Sequence, residues 1–136
     1  LTDSKVALVV EDDPDQRSLY SLMLRRRGWT TLEAATAEQA QAILQDVRPA
    51  VIVLDVMLPD RDGISLCRSW RAGPDFSSIP VLVLTALGDP DTRRRALAAG
   101  ADAFVSKPIA PAALVEQVQQ LADKPGATLT SPAVPL

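Results

Sequence analysis

Apolar runs alternate with amphipathic stretches five times along this chain, and the alternation leaves few folds open. Strand-length runs separated by helix-length periodic segments are the βα pattern of a parallel sheet covered by helices on both faces. Strands are expected near residues 5–10, 30–34, 51–54, 81–84 and 103–106. Four of the runs are short and rich in Val, Leu and Ala without polar alternation, as strands buried on both faces should be. Thr30-Thr31-Leu32-Glu33-Ala34 is the polar one, hence an edge strand. The expected architecture is α/β: a doubly wound five-stranded parallel sheet of order 2-1-3-4-5, a flavodoxin-like three-layer sandwich with five helices.

Helix signals fill the intervals. Asp13-Pro14 supplies an N-cap and a proline at the first helical position, and Gly28 closes that helix, with Leu19, Leu22 and Met23 expected on its inner face. Thr36-Ala37-Glu38-Gln39 has the form of a capping box, with Ala40, Ile43, Leu44 and Val47 following at helical spacing. Asp62-Gly63 starts a third helix carrying Leu66, Cys67 and Trp70, which read as core residues. Pro90-Asp91 opens a fourth that Gly100 ends, and Pro111-Ala112 begins a fifth with Leu114, Val115, Val118 and Leu121.

Residues 1–122 are thus read as one domain, a size the 136-residue chain allows once but not twice. Residues 123–136, rich in Pro, Thr and Ser and without a sustained period, read as a flexible tail or linker. Because the first residues are Leu1-Thr2-Asp3, the chain reads as a piece of something longer.

Polar residues close four of the five runs: Glu11-Asp12, Asp55, Thr85 and Lys107. In an open parallel sheet, ligands bind outside the carboxyl ends of the strands, above all where the strand order reverses. Crowded carboxylates repel by roughly 1 kcal/mol at 4 Å in water and about 4 at an effective dielectric near 20. Such a cluster must take up protons or bind a cation. Hard oxygen ligands with room for water and phosphate suit Mg²⁺. Lys107 and Thr85 are fit to hold phosphoryl oxygens, and an aspartate can serve as a nucleophile yielding an aspartyl phosphate. Taken singly, Asp12, Thr85 and Lys107 are ordinary loop or solvated residues; their joint placement at strand ends gives them weight.

Other chemistry is excluded by composition. With no histidine, Ser-His-Asp and Cys-His catalysis and a phosphohistidine are ruled out, and most zinc chemistry with them. A net charge of −3 argues against direct nucleic-acid binding by this domain, and Arg25-Arg26-Arg27 suits the negative C-terminal pole of the first helix. Cys67 is the lone cysteine and has no disulfide partner, no apolar run reaches the roughly 18–20 residues of a membrane span, and no signal-peptide pattern is visible, so the expected location is cytoplasmic.

The stretches Leu8-Val9-Val10-Glu11-Asp12-Asp13-Pro14, Leu54-Asp55-Val56-Met57-Leu58-Pro59-Asp60-Arg61-Asp62-Gly63, Pro80-Val81-Leu82-Val83-Leu84-Thr85-Ala86 and Gly100-Ala101-Asp102-Ala103-Phe104-Val105-Ser106-Lys107-Pro108 together resemble the bacterial two-component response regulator receiver domain, of the chemotaxis-regulator type, from about Lys5 to Ala122. The resemblance implies a phosphorylation-dependent switch rather than an enzyme, with intrinsic phosphotransfer and autodephosphorylation only. By it Asp55 is the phosphoacceptor, Asp12, Asp55 and the Met57 backbone carbonyl ligate Mg²⁺, and Glu11 acts through a bound water. Lys107 falls on the phosphate-contacting lysine, Thr85 and Phe104 on the switch pair, and the Lys107–Pro108 bond is implied to be cis. The implied partners are a histidine kinase or histidine phosphotransfer protein and a downstream effector or fused output domain, with no membrane involved.

Receivers of the winged-helix regulators pair through charges that include an Asp directly after the position of Asp102 and an Arg on the last helix. Here Ala103 takes the first place, and Glu116 is the one charge between Ala112 and Leu121. Three further readings compete, one of them a degenerate receiver serving only as an interaction domain, against which all five site positions being present speaks. A haloacid-dehalogenase-type phosphatase places a second Asp two residues beyond its nucleophile, where this chain has Met57. A flavodoxin-like nucleotide-binding module calls for a Ser/Thr/Gly phosphate loop after its first strand, where Glu11-Asp12-Asp13 would repel an unaccompanied phosphate.

Overall fold

A computed structural model describes residues 5–123. The elements alternate throughout: β1 (Val6–Val10), α1 (Pro14–Arg25), β2 (Thr30–Ala34), α2 (Ala37–Asp46), β3 (Val51–Leu54), α3 (Gly63–Ala72), β4 (Val81–Thr85), α4 (Pro90–Ala98), β5 (Ala103–Ser106) and α5 (Pro111–Asp123). All four strand pairings are parallel, in the order β2-β1-β3-β4-β5. The polar run Thr30–Ala34 is at one edge, as its composition implies. Of the expected tail, only Asp123 is described, as the last residue of α5; the rest lies outside the described residues.

Side chains alternate across the sheet with a period of two, so each central strand feeds two cores. Leu8, Val10, Ile52, Leu54, Val81 and Val83 pack with α2, α3 and α4; Ala7, Val9, Val51, Val53, Leu82 and Leu84 pack with α1 and α5. Cys67 and Trp70 are buried in the first core. Burial raises the Cys67 thiol pKa, and its Sγ lies 3.8 Å from the Ala99 carbonyl. The folded protein is therefore expected to resist a thiol-alkylating reagent at neutral pH and to react once unfolded in guanidinium, because the thiolate is the reactive form. Prompt stoichiometric labelling of the native protein would contradict this.

The helix caps follow the sequence signals. Asp13 accepts from the backbone N–H groups of Asp15 and Gln16, Thr36 from Gln39, Asp62 from Ile64 and Asp89 from Thr92. The reciprocal partner of the α2 box is displaced by one residue: the Gln39 side chain accepts from the Ala35 N–H at 2.7 Å. Gly28 and Gly100 take positive φ values of 91° and 107° after α1 and α4, where an L side chain would be strained.

The inner face of α1 differs from expectation. Tyr20, Ser21 and Leu24 are buried, Met23 is half-buried, and Leu19 and Leu22 are exposed. The helix is rolled so that the 17-20-24 row meets the sheet, while Leu19, Leu22 and Met23 flank a surface groove shared with Pro111, Ala112 and Val115 of α5. An apolar stripe on a helix bordered by sheet and helix reports both neighbours at once, and spacing alone does not separate them.

Candidate functional site

Ladder hydrogen bonds carry the chain just past the strand ends and so fix the site residues. The Glu11 N–H donates to Ala34 O (3.0 Å), Asp55 N–H to Val10 O (3.1 Å) and Lys107 N–H to Thr85 O (2.8 Å). The side chains of Glu11, Asp55 and Lys107 converge over β1, β3 and β5, around the point where the strand order reverses between β1 and β3.

The Lys107 ammonium is the hub. Its Nζ lies 2.7 Å from Glu11 Oε1, 2.8 Å from Asp55 Oδ2 and 2.6 Å from Gln16 Oε1. The remaining carboxylate oxygens take backbone donors: Asp55 Oδ1 accepts from the Met57 N–H at 3.1 Å, and Glu11 Oε2 from the Asp13 N–H at 3.1 Å. The Glu11 and Asp55 side chains are only 4% exposed, which leaves the ammonium as their main counter-charge.

The three ionisable groups divide accordingly. Burial works to raise the Asp55 pKa, but the hydrogen bonds from Lys107 and the Met57 N–H, helped by the nearby Thr85 hydroxyl, outweigh it and hold the group below its usual value. Burial raises Glu11, reinforced by the charge of Asp55 and only partly offset by Lys107 and the Asp13 N–H. For Lys107, desolvation acts downward, yet the hydrogen bonds to Asp55 and Glu11 raise its pKa overall and keep it protonated. One cation between two carboxylates thus leaves Asp55 ionised.

Asp12 is exposed and lines the same cleft, about 440 Å³ in volume, with Glu11, Asp55, Met57, Lys107 and Ala86. It forms none of the hydrogen bonds that tie Glu11, Asp55 and Lys107 together, and no compact group of three metal-binding side chains is assembled among the described residues. Thr85 is fully buried at the end of β4, where its Oγ1 accepts from the Leu87 N–H at 3.3 Å. Phe104 is half-buried on β5, with the Arg93 guanidinium 5.9 Å from its ring centroid. The Lys107–Pro108 peptide is cis.

Several supporting residues escape a reading of the sequence. Asp60, in the loop after Asp55, accepts from the Ala37 and Glu38 N–H groups at 2.9 and 3.0 Å and so caps α2 from outside the helix. Arg71 donates to the carbonyls of Gly100, Phe76 and Ile79 and pairs with Asp102 at 2.7 Å, tying α3 to the turn before β5. Gln16 and Tyr20 lie in the first and second turns of α1, three and seven residues beyond the cap Asp13; their i, i+4 spacing from each other would have placed them on one face above the end of β1.

A doubly wound sheet with an acidic cleft and a half-buried lysine at its switch point defines the class. The model of the response regulator receiver domain matches residues 7–119, and the chain belongs to that family, the signalling domains of two-component systems. Over 122 residues it is 34% identical to the phosphate regulon transcriptional regulatory protein PhoB of Pseudomonas aeruginosa, covering 90% of this chain and 53% of that one. Over 112 residues it is 38% identical to the DNA-binding response regulator MtrA of Mycolicibacterium smegmatis, covering 82% and 48%. The chain thus spans about half the length of these curated relatives. Among solved structures, the Francisella response regulator 1452 receiver domain superposes with a TM-score of 0.83 at 28% identity, covering 88% of this chain and 98% of that one. The receiver domain of the Pseudomonas aeruginosa sensor histidine kinase PA1611, solved with a magnesium ion coordinated in its active-site cleft, superposes with a TM-score of 0.80 at 30% identity, covering 87% and 97%.

Proposed function

We propose that this domain is a phosphorylation-dependent switch whose phosphoacceptor is Asp55. The observation that carries the reading is the Lys107 ammonium held between Glu11 and Asp55 at the switch point. An ionised Asp55 is a competent nucleophile: a carboxylate oxygen attacks phosphorus, the bond from phosphorus to the donor's leaving atom breaks, and an aspartyl phosphate forms. Lys107 is then placed to donate to a phosphoryl oxygen in exchange for its bond to Asp55. The phosphatase and nucleotide-binding readings are not favoured, since Met57 stands where the former requires an acid and the acidic turn after β1 repels the phosphate of the latter.

The chemistry of the donors suits Mg²⁺: Glu11, Asp12 and Asp55 carry hard carboxylate oxygens and line one cleft with Met57, whose backbone carbonyl would complete the set. Bound there, the metal would supply positive charge that neutralises the carboxylates and the incoming phosphate. The magnesium in the PA1611 receiver supports this assignment. Partners under this reading are a histidine kinase or phosphotransfer protein upstream and an effector or fused output domain downstream. In this reading the receiver domain runs to the end of α5 at Asp123.

The test is incubation with acetyl phosphate with and without Mg²⁺, followed by intact-protein mass. The account requires a single phosphoryl increment that depends on Mg²⁺ and is absent from Asp55→Asn. Equal labelling of that variant would refute it.

Thr85 and Phe104 form the output pair in this proposal. A phosphoryl group offers the Thr85 hydroxyl a charge-assisted hydrogen bond worth roughly 1.5–3 kcal/mol, which shifts a pre-existing equilibrium and lets Phe104 turn inward. Thr85→Ala should accept phosphate on Asp55 while leaving the Phe104 ring signals unmoved by beryllofluoride in NMR spectra. A Phe104 response of parental size in that variant would break the coupling.

A further inference from the structure

We propose that Gln16 is a positioning residue for Lys107, an inference that rests on the reading of Asp55 as phosphoacceptor. An ammonium has three N–H donors, and here the three acceptors are Glu11, Asp55 and Gln16, the last at 2.6 Å. Two of these partners are the carboxylates that a divalent cation and a phosphoryl group would engage. Gln16 is the uncharged one, so it holds the ammonium in place while the other two bonds are exchanged.

The orientation of the amide is fixed independently. Gln16 Nε2 donates to Asp13 Oδ2 at 3.2 Å, and Asp13 is itself held as the α1 cap by the N–H groups of Asp15 and Gln16. The Tyr20 hydroxyl donates to Gln16 Oε1 at 3.4 Å, and the Tyr20 ring lies with its centroid 5.8 Å from Lys107 Nζ. Turning the amide over would set its NH₂ against the ammonium and its carbonyl oxygen against the Asp13 carboxylate. The first turn of α1 thereby aims a lysine 91 residues away in the chain.

Methionine at position 16 keeps the length of the side chain and removes the acceptor. In the full chain, ¹⁵N-lysine NMR should show the Lys107 ammonium protected from solvent exchange in the parent and unprotected in Gln16→Met. At saturating Mg²⁺, Gln16→Met should slow phosphorylation by acetyl phosphate about tenfold, with Mg²⁺ affinity unchanged within about twofold, as expected for misplacement of one group. The loss should vanish in a Lys107→Ala background, and Gln16→Glu, which restores an acceptor, should recover protection. Unchanged protection and rate in Gln16→Met, or the same fractional loss without Lys107, would overturn the inference. Failure of the parent itself to accept phosphate would refute the function proposed for Asp55 instead, and the ammonium exchange would then decide the role of Gln16 alone.

Discussion

Lys107→Ala is expected to destabilise the metal-free protein by about 1–3 kcal/mol at neutral pH, below the 3–5 typical of a fully buried broken pair because the cleft admits water. The lysine side chain is 12% exposed and its two carboxylate partners 4%, so the variant leaves two buried anions facing each other. The loss should depend on pH. In the parent, Asp55 has a folded pKa below its usual 3.8, so its stabilising contribution is present above that value and fades as pH falls through the folded pKa. Lys107 has a folded pKa above its usual 10.5, so its contribution is present below that value and fades as pH rises through the folded pKa. The difference between parent and variant should therefore form a plateau across neutral pH and shrink at both ends. Mg²⁺ should restore much of the loss, since binding to the folded state stabilises by RT ln(1 + [L]/Kd) and the metal no longer competes with an ammonium for the same oxygens. Urea denaturation with and without Mg²⁺ measures both effects. A variant as stable as the parent, or one with no larger response to Mg²⁺, would contradict the electrostatic account.

Gly63→Ala should be as damaging for a steric reason. A Cβ at this first residue of α3 would strike the Asp55 carbonyl oxygen and come within 2.9 Å of Val56 Cα. Both obstacles are backbone, and the Gly63 N–H is already bound to Val56 O at 2.7 Å, so relief requires moving the segment that carries Asp55. The cost should reach or exceed the roughly 1–3 kcal/mol usual for overpacking. Phosphorylation should fall with it, because the nucleophile shifts relative to Lys107. An unchanged urea midpoint together with an unchanged rate would show that the turn has slack.

The sheet was legible in the sequence because its physics is local. Val51-Ile52-Val53-Leu54 and Val81-Leu82-Val83-Leu84 are apolar without alternation since both faces are covered, and Thr30–Ala34 is polar since one edge is not. The meeting of Glu11, Asp55 and Lys107 was legible because strand ends in a parallel sheet converge. What stayed hidden depends on contacts across the chain. Arg71 looks like a solvated charge at the end of a helix, yet its partners are mostly backbone carbonyls, which carry no residue signature. Leu19 and Leu22 look like core because spacing does not tell a helix face turned to the sheet from one turned to α5. Asp60 reads as a turn residue, and only the fold brings the start of α2 to it.

Of the carboxylates in the cleft, Asp55 is the one proposed to carry the phosphoryl group. Borohydride reduction of the phosphorylated protein converts an aspartyl phosphate to homoserine, and peptide mass spectrometry then reports its position. Homoserine is expected at position 55, formed only with Mg²⁺ and phosphodonor present. Reduction at Asp12 or Asp13, or none at position 55 in protein that bears the phosphoryl mass, would contradict it.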